Sequence, residues 1–336
     1  MMKHCSIALF VAVLAACILS ITGLQAQQMP QFSQYMMNPY VINPAASSMY
    51  RDIDLNMGFR QQWAGFEGAP RTYYMGGTVN LGRRDATQGF MNSIPISHRG
   101  PLTEAQSRRR AKHVLGGLAA VDEYGLFQRS SVMLSYAYHQ PIGDSYYLAV
   151  GTSMGWYGMN FGANQVVLEN PVDNVYNDFV ARGTRANLFD INAGVMLYGD
   201  RAFVGYSVYQ IGENQIELGN QTSPAGLADT RLAVHQFFLA GYRFSLSESV
   251  DLTPSAAVKL RSPAPASFDI NLRLDYRNSV FGGLSYRYED AVSLLAGYRI
   301  NDAFWVAWAY DYVTSSINNL SSGSHEIVLG FQMNRK

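Results

Sequence analysis

The chain has 336 residues and no formal net charge, so no overall field draws it toward nucleic acid or an anionic surface. Charged residues make up only 15% of it, against about 25% in an ordinary soluble domain, while aromatics reach 13% with 22 Tyr. That mixture suits strands with one apolar and one polar face. Beyond the first two dozen residues no apolar run approaches the roughly 20 needed to cross a bilayer as a helix.

Residues 1–26 read as an export signal. Lys3 and His4 open it, Ile7 to Leu19 form its apolar stretch, and Ala26 offers a cleavage site before Gln27. Leu14-Ala15-Ala16-Cys17 has the form of a lipoprotein cleavage box, but the apolar Ile18-Leu19-Ser20-Ile21 continues past that cysteine. Cleavage after Ala26 removes both Cys5 and Cys17 and leaves no disulfide, thiolate metal site or cysteine nucleophile in the mature chain.

Residues 27–51 are polar, aromatic and marked by two Asn-Pro steps, Asn38-Pro39 and Asn43-Pro44. Such steps disfavour helix and set rigid bends. An ordered, extended segment is expected here, on the periplasmic side or plugging the barrel that follows.

From residue 52 to the end, stretches of about ten alternating residues recur between turn signals. Ile270, Leu272, Leu274 and Tyr276 share one face, and Asp269, Asn271, Arg273 and Asp275 the other. Leu148, Val150, Met154 and Trp156 alternate in the same way with Ala149, Gly151, Ser153 and Gly155. The strands are long, their aromatics gather at the ends, as at Tyr286, Tyr298 and Tyr312, and the opposite face is small or charged. Together these predict an all-β fold: a transmembrane antiparallel barrel of about fourteen strands with apolar residues toward lipid. Pro254 is an irregularity inside one strand. Connections at 159–187 and 212–232 are long and fall on the side opposite the chain's start. Segment 82–111 is the exception, a long connection on the short-turn side. Arg108, Arg109 and Arg110 cluster there with Lys112 just beyond, and such a group suits a periplasmic docking surface or anionic head groups, the other reading being a solvated charge run.

Three blocks resemble the PorP/SprF family. The first holds Gln34-Tyr35, Asn38-Pro39 and Ile42-Asn43-Pro44-Ala45. The second runs from Arg60 through Gln62, Trp63 and Gly68 to Pro70, and the third is Ser324 to Phe331. The resemblance runs from about residue 29 to the end, with only strand pattern in its middle. It implies an outer-membrane barrel of the type IX secretion system, which also supports gliding motility in many relatives. It further implies association with a periplasmic ring, a peptidoglycan-linked partner and, for some members, the sorting domains of secreted cargo. The chain departs from a common barrel ending, since Gln332-Met333-Asn334-Arg335-Lys336 lacks a terminal aromatic, and Phe331 is the nearest substitute.

No enzyme signature stands beside these. There is no Gly-x-Ser-x-Gly elbow and no His-Glu-x-x-His, and the six histidines are scattered. A non-enzymatic role without cofactor or metal is expected, in contact with outer-membrane lipids and protein partners and not with nucleic acid. A core component and a copy dedicated to one cargo look alike in sequence. A passive channel shares the composition, and a barrel enzyme is the third reading.

Overall fold

The computed structural model describes residues 32–82, 110–162, 180, 184–212, 232–261, 264–315 and 321–334. The expected export signal and the inner parts of the three long connections lie outside the described residues. Fifteen strand segments follow in order: β1 (Ile53–Gln61), β2 (Arg71–Asn80), β3 (Lys112–Tyr124), β4 (Phe127–Ile142), β5 (Tyr146–Phe161), β6 (Arg185–Gly199), β7 (Ala202–Tyr209), β8 (His235–Tyr242), β9 (Phe244–Ser247), β10 (Val250–Arg261), β11 (Ala264–Tyr276), β12 (Val280–Arg287), β13 (Ala291–Arg299), β14 (Phe304–Val313) and β15 (Ser324–Met333). Neighbours pair antiparallel, and the sheet closes because β15 pairs with β1 from Ile53↔Met333 to Gln61↔His325. Closure leaves no open edge to be satisfied by water.

Two of the segments are one stave. β8 and β9 both pair with β10, on either side of Arg243. The break falls opposite Pro254, which has no N–H to give the ladder, while on the other side the Arg243 amide continues the β7 register to the carbonyl of Arg201. The barrel therefore has fourteen staves, the number the alternation predicts.

The facing assignments hold residue by residue. Leu272 is 42% exposed and Ile270 65%, while Asn271 between them is buried. On β5, Val150, Met154 and Trp156 are exposed, and Ala149, Gly151 and Ser153 are buried. Exposed aromatics form two rings: Tyr242, Tyr276, Tyr298 and Phe304 at the end where β1 begins and β15 stops, and Tyr73, Phe268, Tyr286 and Tyr312 at the other. An apolar belt between aromatic girdles is the surface a bilayer requires. The first end, called here the near end, carries short turns at 143–145, 200–201, 277–279 and 300–303. The far end carries the connections that enclose 163–183 and 213–231. Segment 82–111 leaves and returns at the near end, as its place between β2 and β3 requires.

The lumen is not empty. Residues 32–50 lie inside it, almost all of them buried. They are ordered but not extended, which corrects that part of the expectation. Pro39–Val41 and Pro44–Ala46 form short 3₁₀ turns, each with its proline in the first turn, where the missing N–H costs nothing.

Candidate functional site

The inner segment crosses the lumen from far to near, opposite in direction to the strand it leads into. Ser33 sits among Arg60, Asp311 and Glu326, all close to the far ends of their strands. Tyr50 reaches the carbonyl of Gly199 at the near end of β6. Between these points each bend is fixed to a different part of the wall. The Tyr35 hydroxyl accepts from Asn271 Nδ2 at 2.6 Å, and Tyr40 and Ser135 share a hydrogen bond of 2.7 Å. Ser207 and Tyr209 on β7 donate to the carbonyls of Ile42 and Val41, and Ser48 meets Thr78 at 2.8 Å. A buried segment without regular pairing must satisfy its backbone through such contacts.

The polar anchor at the far end is an ion cluster. Arg60 Nη2 donates to Asp311 Oδ2 at 2.7 Å, and its Nη1 donates to Ser33 Oγ at 2.7 Å and Glu326 Oε2 at 3.3 Å. The Ser33 amide donates to Glu326 Oε2 at 2.7 Å, and Gln34 Nε2 reaches the carbonyl of Glu326. Arg60 is 1% exposed and Glu326 0%. Buried charges persist only when paired and hydrogen-bonded, and here the inner segment supplies part of the pairing. Thus the opening motif, the Arg60 block and the terminal strand meet at one point.

The Asn43-Pro44-Ala45 turn rests in a cradle of glycines. A Cβ on Gly151 would lie 2.6 Å from the Ala45 nitrogen and 2.7 Å from the Pro44 carbonyl carbon. Gly194 and Gly205 leave the space occupied by the Asn43 amide, which caps the turn by accepting from Ala45 N at 2.9 Å and donates to the carbonyls of Val195 and Tyr206. Gly116 stands in the same relation to the Tyr40 hydroxyl.

The remaining motif residues build the far rim. Residues 62–70 join β1 to β2, with the Gln62 amide donating to the Pro70 carbonyl. Trp63 sits at φ +47°, a left-handed conformation that costs a non-glycine residue about 1–2 kcal/mol, and its amide is held by Ser324 Oγ. Ala64 exchanges backbone hydrogen bonds with Ser322 and Gly323, and the Gly68 carbonyl accepts from Gly125. Gly68 itself is at φ +71°, where a side chain would be strained. Phe66, at the tip, is exposed. The loop is thus braced on both sides and presents an apolar tip.

At the near end the expected docking group divides. Arg108 and Arg109 lie outside the described residues. Arg110 is exposed, but Lys112 is buried, which removes it from the docking surface. Its ammonium donates to the carbonyl of Met49 at 3.0 Å and lies 4.8 Å from the centre of the Tyr147 ring. Strand alternation explains the difference, since position 112 begins β3 facing inward. Lys112 is a clamp on the end of the inner segment.

Ser33, Gly194 and Gly205 went unmarked in the sequence. Gly151 was legible as a small inward residue, but what it makes room for lies more than a hundred positions away.

A family model described as type IX secretion system membrane protein PorP/SprF matches residues 24–331. No curated protein matches the chain. Among solved structures, the CymD monoaromatic hydrocarbon channel is 12% identical, with 93% of this chain and 96% of that one covered and a TM-score of 0.49. The Ralstonia pickettii toluene transporter TbuX is 11% identical, covering 90% and 93%, at 0.48. A Pseudomonas aeruginosa FadL homologue is 12% identical, covering 91% and 94%, at 0.46. Likenesses of this size carry no functional argument.

Proposed function

Because this chain belongs to the PorP/SprF family of type IX secretion system membrane proteins, we propose that it serves that machine as a non-catalytic outer-membrane adaptor. The observation that carries this reading is the filled lumen. Residues 32–50 are fixed to the wall along the whole barrel, from Ser33 at the ion cluster to Tyr50 at Gly199. A barrel whose interior is occupied by its own chain suits a rigid post better than a conduit. The near rim is assigned to the periplasm because two of the three longest connections leave the far end, and long connections mark the outer side. There the connection at 82–111, with Arg108, Arg109 and Arg110, presents cations to a ring component or a peptidoglycan-linked partner. The far rim, with its braced loop and exposed Phe66, presents a fixed surface to secreted cargo and its sorting domains.

A clean deletion tests the adaptor role, with the secreted proteome and surface gliding compared with the parent strain. Loss of many cargo proteins together makes the chain a core component of the machine, and loss of one adhesin makes it a cargo-specific copy. Unchanged secretion overturns the proposal and returns the molecule to a channel, which conductance in planar bilayers would then register. Charge reversal at Arg108–Arg110 with partner pull-down unchanged would remove the periplasmic docking surface.

A further inference from the structure

The underside of the inner segment does not seal the near end. A cavity of about 120 Å³ remains there between Met36, Met37 and Met49 and the near halves of the strands. Four arginines line it, each from a different element: Arg51 at the junction with β1, Arg243 at the break between β8 and β9, Arg273 on β11 and Arg299 on β13. Three aspartates line it as well, and two are already engaged. Asp275 pairs with Arg273, while Asp54 accepts from Asn56 at 2.7 Å and from Gln332 at 3.4 Å. Among the described residues neither Arg243 nor Arg299 makes a side-chain hydrogen bond or ion pair; Arg299 lies over the Phe281 ring, 5.8 Å from its centre, and its buried Nε has no acceptor.

A guanidinium in the lumen without a carboxylate partner is unfavourable, and at the far end of the same lumen both terminal nitrogens of Arg60 are held by Asp311, Glu326 and Ser33. We infer that the near-end cavity is a receptor site for a peptide carboxylate, bound by Arg243 and Arg299. The guanidinium fork matches a carboxylate in shape and charge. The cavity has room for several waters, and so for one carboxylate and its stem. Access narrows the ligand. The closed wall keeps lipid head groups from entering sideways, which leaves entry from the periplasm. Met36, Met37 and Trp305 supply soft apolar surface beside the cations, suited to an acidic side chain or chain terminus next to an apolar residue. The inference rests on the periplasmic placing of the near rim proposed above, but not on the docking role of segment 82–111.

The test is calorimetric titration of the full-length protein in detergent micelles with four probes. These are N-acetyl-Leu-Asp-amide, N-acetyl-Leu-Gly as the free acid, N-acetyl-Leu-Asn-amide and inorganic phosphate. Saturable binding of either acid, with none of the Asn peptide, is expected, and the preferred acid distinguishes a side chain from a chain terminus. Arg299→Gln and Arg243→Gln should each weaken binding at least tenfold while keeping the heat-resistant migration of a folded barrel. Equal binding of the Asn peptide, binding of phosphate alone, absence of binding, or wild-type affinity in both folded variants each overturns the assignment.

Discussion

The two faces of one wall obey different rules. Along β11 the residues Ile270, Leu272 and Leu274 turn outward while Asn271, Arg273 and Asp275 turn inward. The outer set needs only to be apolar, because lipid offers no partners and makes no demand for shape. The inner set is specific. Asn271 is committed to the Tyr35 hydroxyl, a residue 236 positions away, and Arg273 to Asp275. The outer face is therefore tolerant of exchange among apolar residues, and the inner face is tied to the segment that fills it. The opening motif, Arg60 and Glu326 all lie on the inner side of that contrast.

Breaking the inner face at its most charged point should have the largest effect. Arg60→Ala leaves Asp311 and Glu326 buried beside each other without their shared cation. Removing one partner of such a buried cluster costs about 3–5 kcal/mol. The urea unfolding midpoint in micelles should fall accordingly, and residues near Ser33 should become open to protease. An unchanged midpoint would mean that the cluster does not hold the inner segment. Making the outer face polar comes next. Leu272→Arg places a charge toward lipid at a cost of about 2–4 kcal/mol near the membrane midplane. Outer-membrane fractions should contain much less of this variant, whereas Arg273→Gln, one residue along but turned inward, should insert normally. Equal insertion of the Leu272→Arg variant and wild type would contradict the facing of β11.

The same contrast decides what was legible in the sequence. Lipid imposes a local, period-two requirement, so the fourteen staves and their outward residues could be read from alternation alone. Only Pro254 split one of them, and it was visible as an irregularity. The lumen imposes requirements between distant segments. Asn38-Pro39 and Asn43-Pro44 announced bends, but not that each would fall on a 3₁₀ turn, the second against glycines of β5, β6 and β7. The motif blocks around Gln34, Arg60 and Glu326 were conspicuous as blocks, yet their meeting at one ion cluster depends on barrel closure through β1 and β15. Lys112 was grouped with the arginines before it by proximity in the chain. The start of β3 turned it inward instead.

The glycines offer the finest version of the comparison, since they differ only in the side of the wall they face. On β3, Gly117 points outward, and a Cβ there would meet the Met133 carbonyl at 3.7 Å, an ordinary contact. On β5, Gly151 points inward, and a Cβ there would stand 2.6–2.8 Å from the backbone of Pro44 and Ala45. The obstruction is main chain, held by the Asn43 cap and by the hydrogen bond from Ser207 to Ile42, so it cannot swing aside as a side chain end would. Overpacking of this kind costs about 1–3 kcal/mol. Gly151→Ala should therefore lower the unfolding midpoint and raise proteolysis between residues 43 and 46, while Gly117→Ala should leave both unchanged. The sign of that difference is the informative part. A Gly151→Ala protein as stable and as protease-resistant as Gly117→Ala would mean that the inner segment can retreat from the wall. The plug would then be a movable element of the lumen and not a fixed part of its structure.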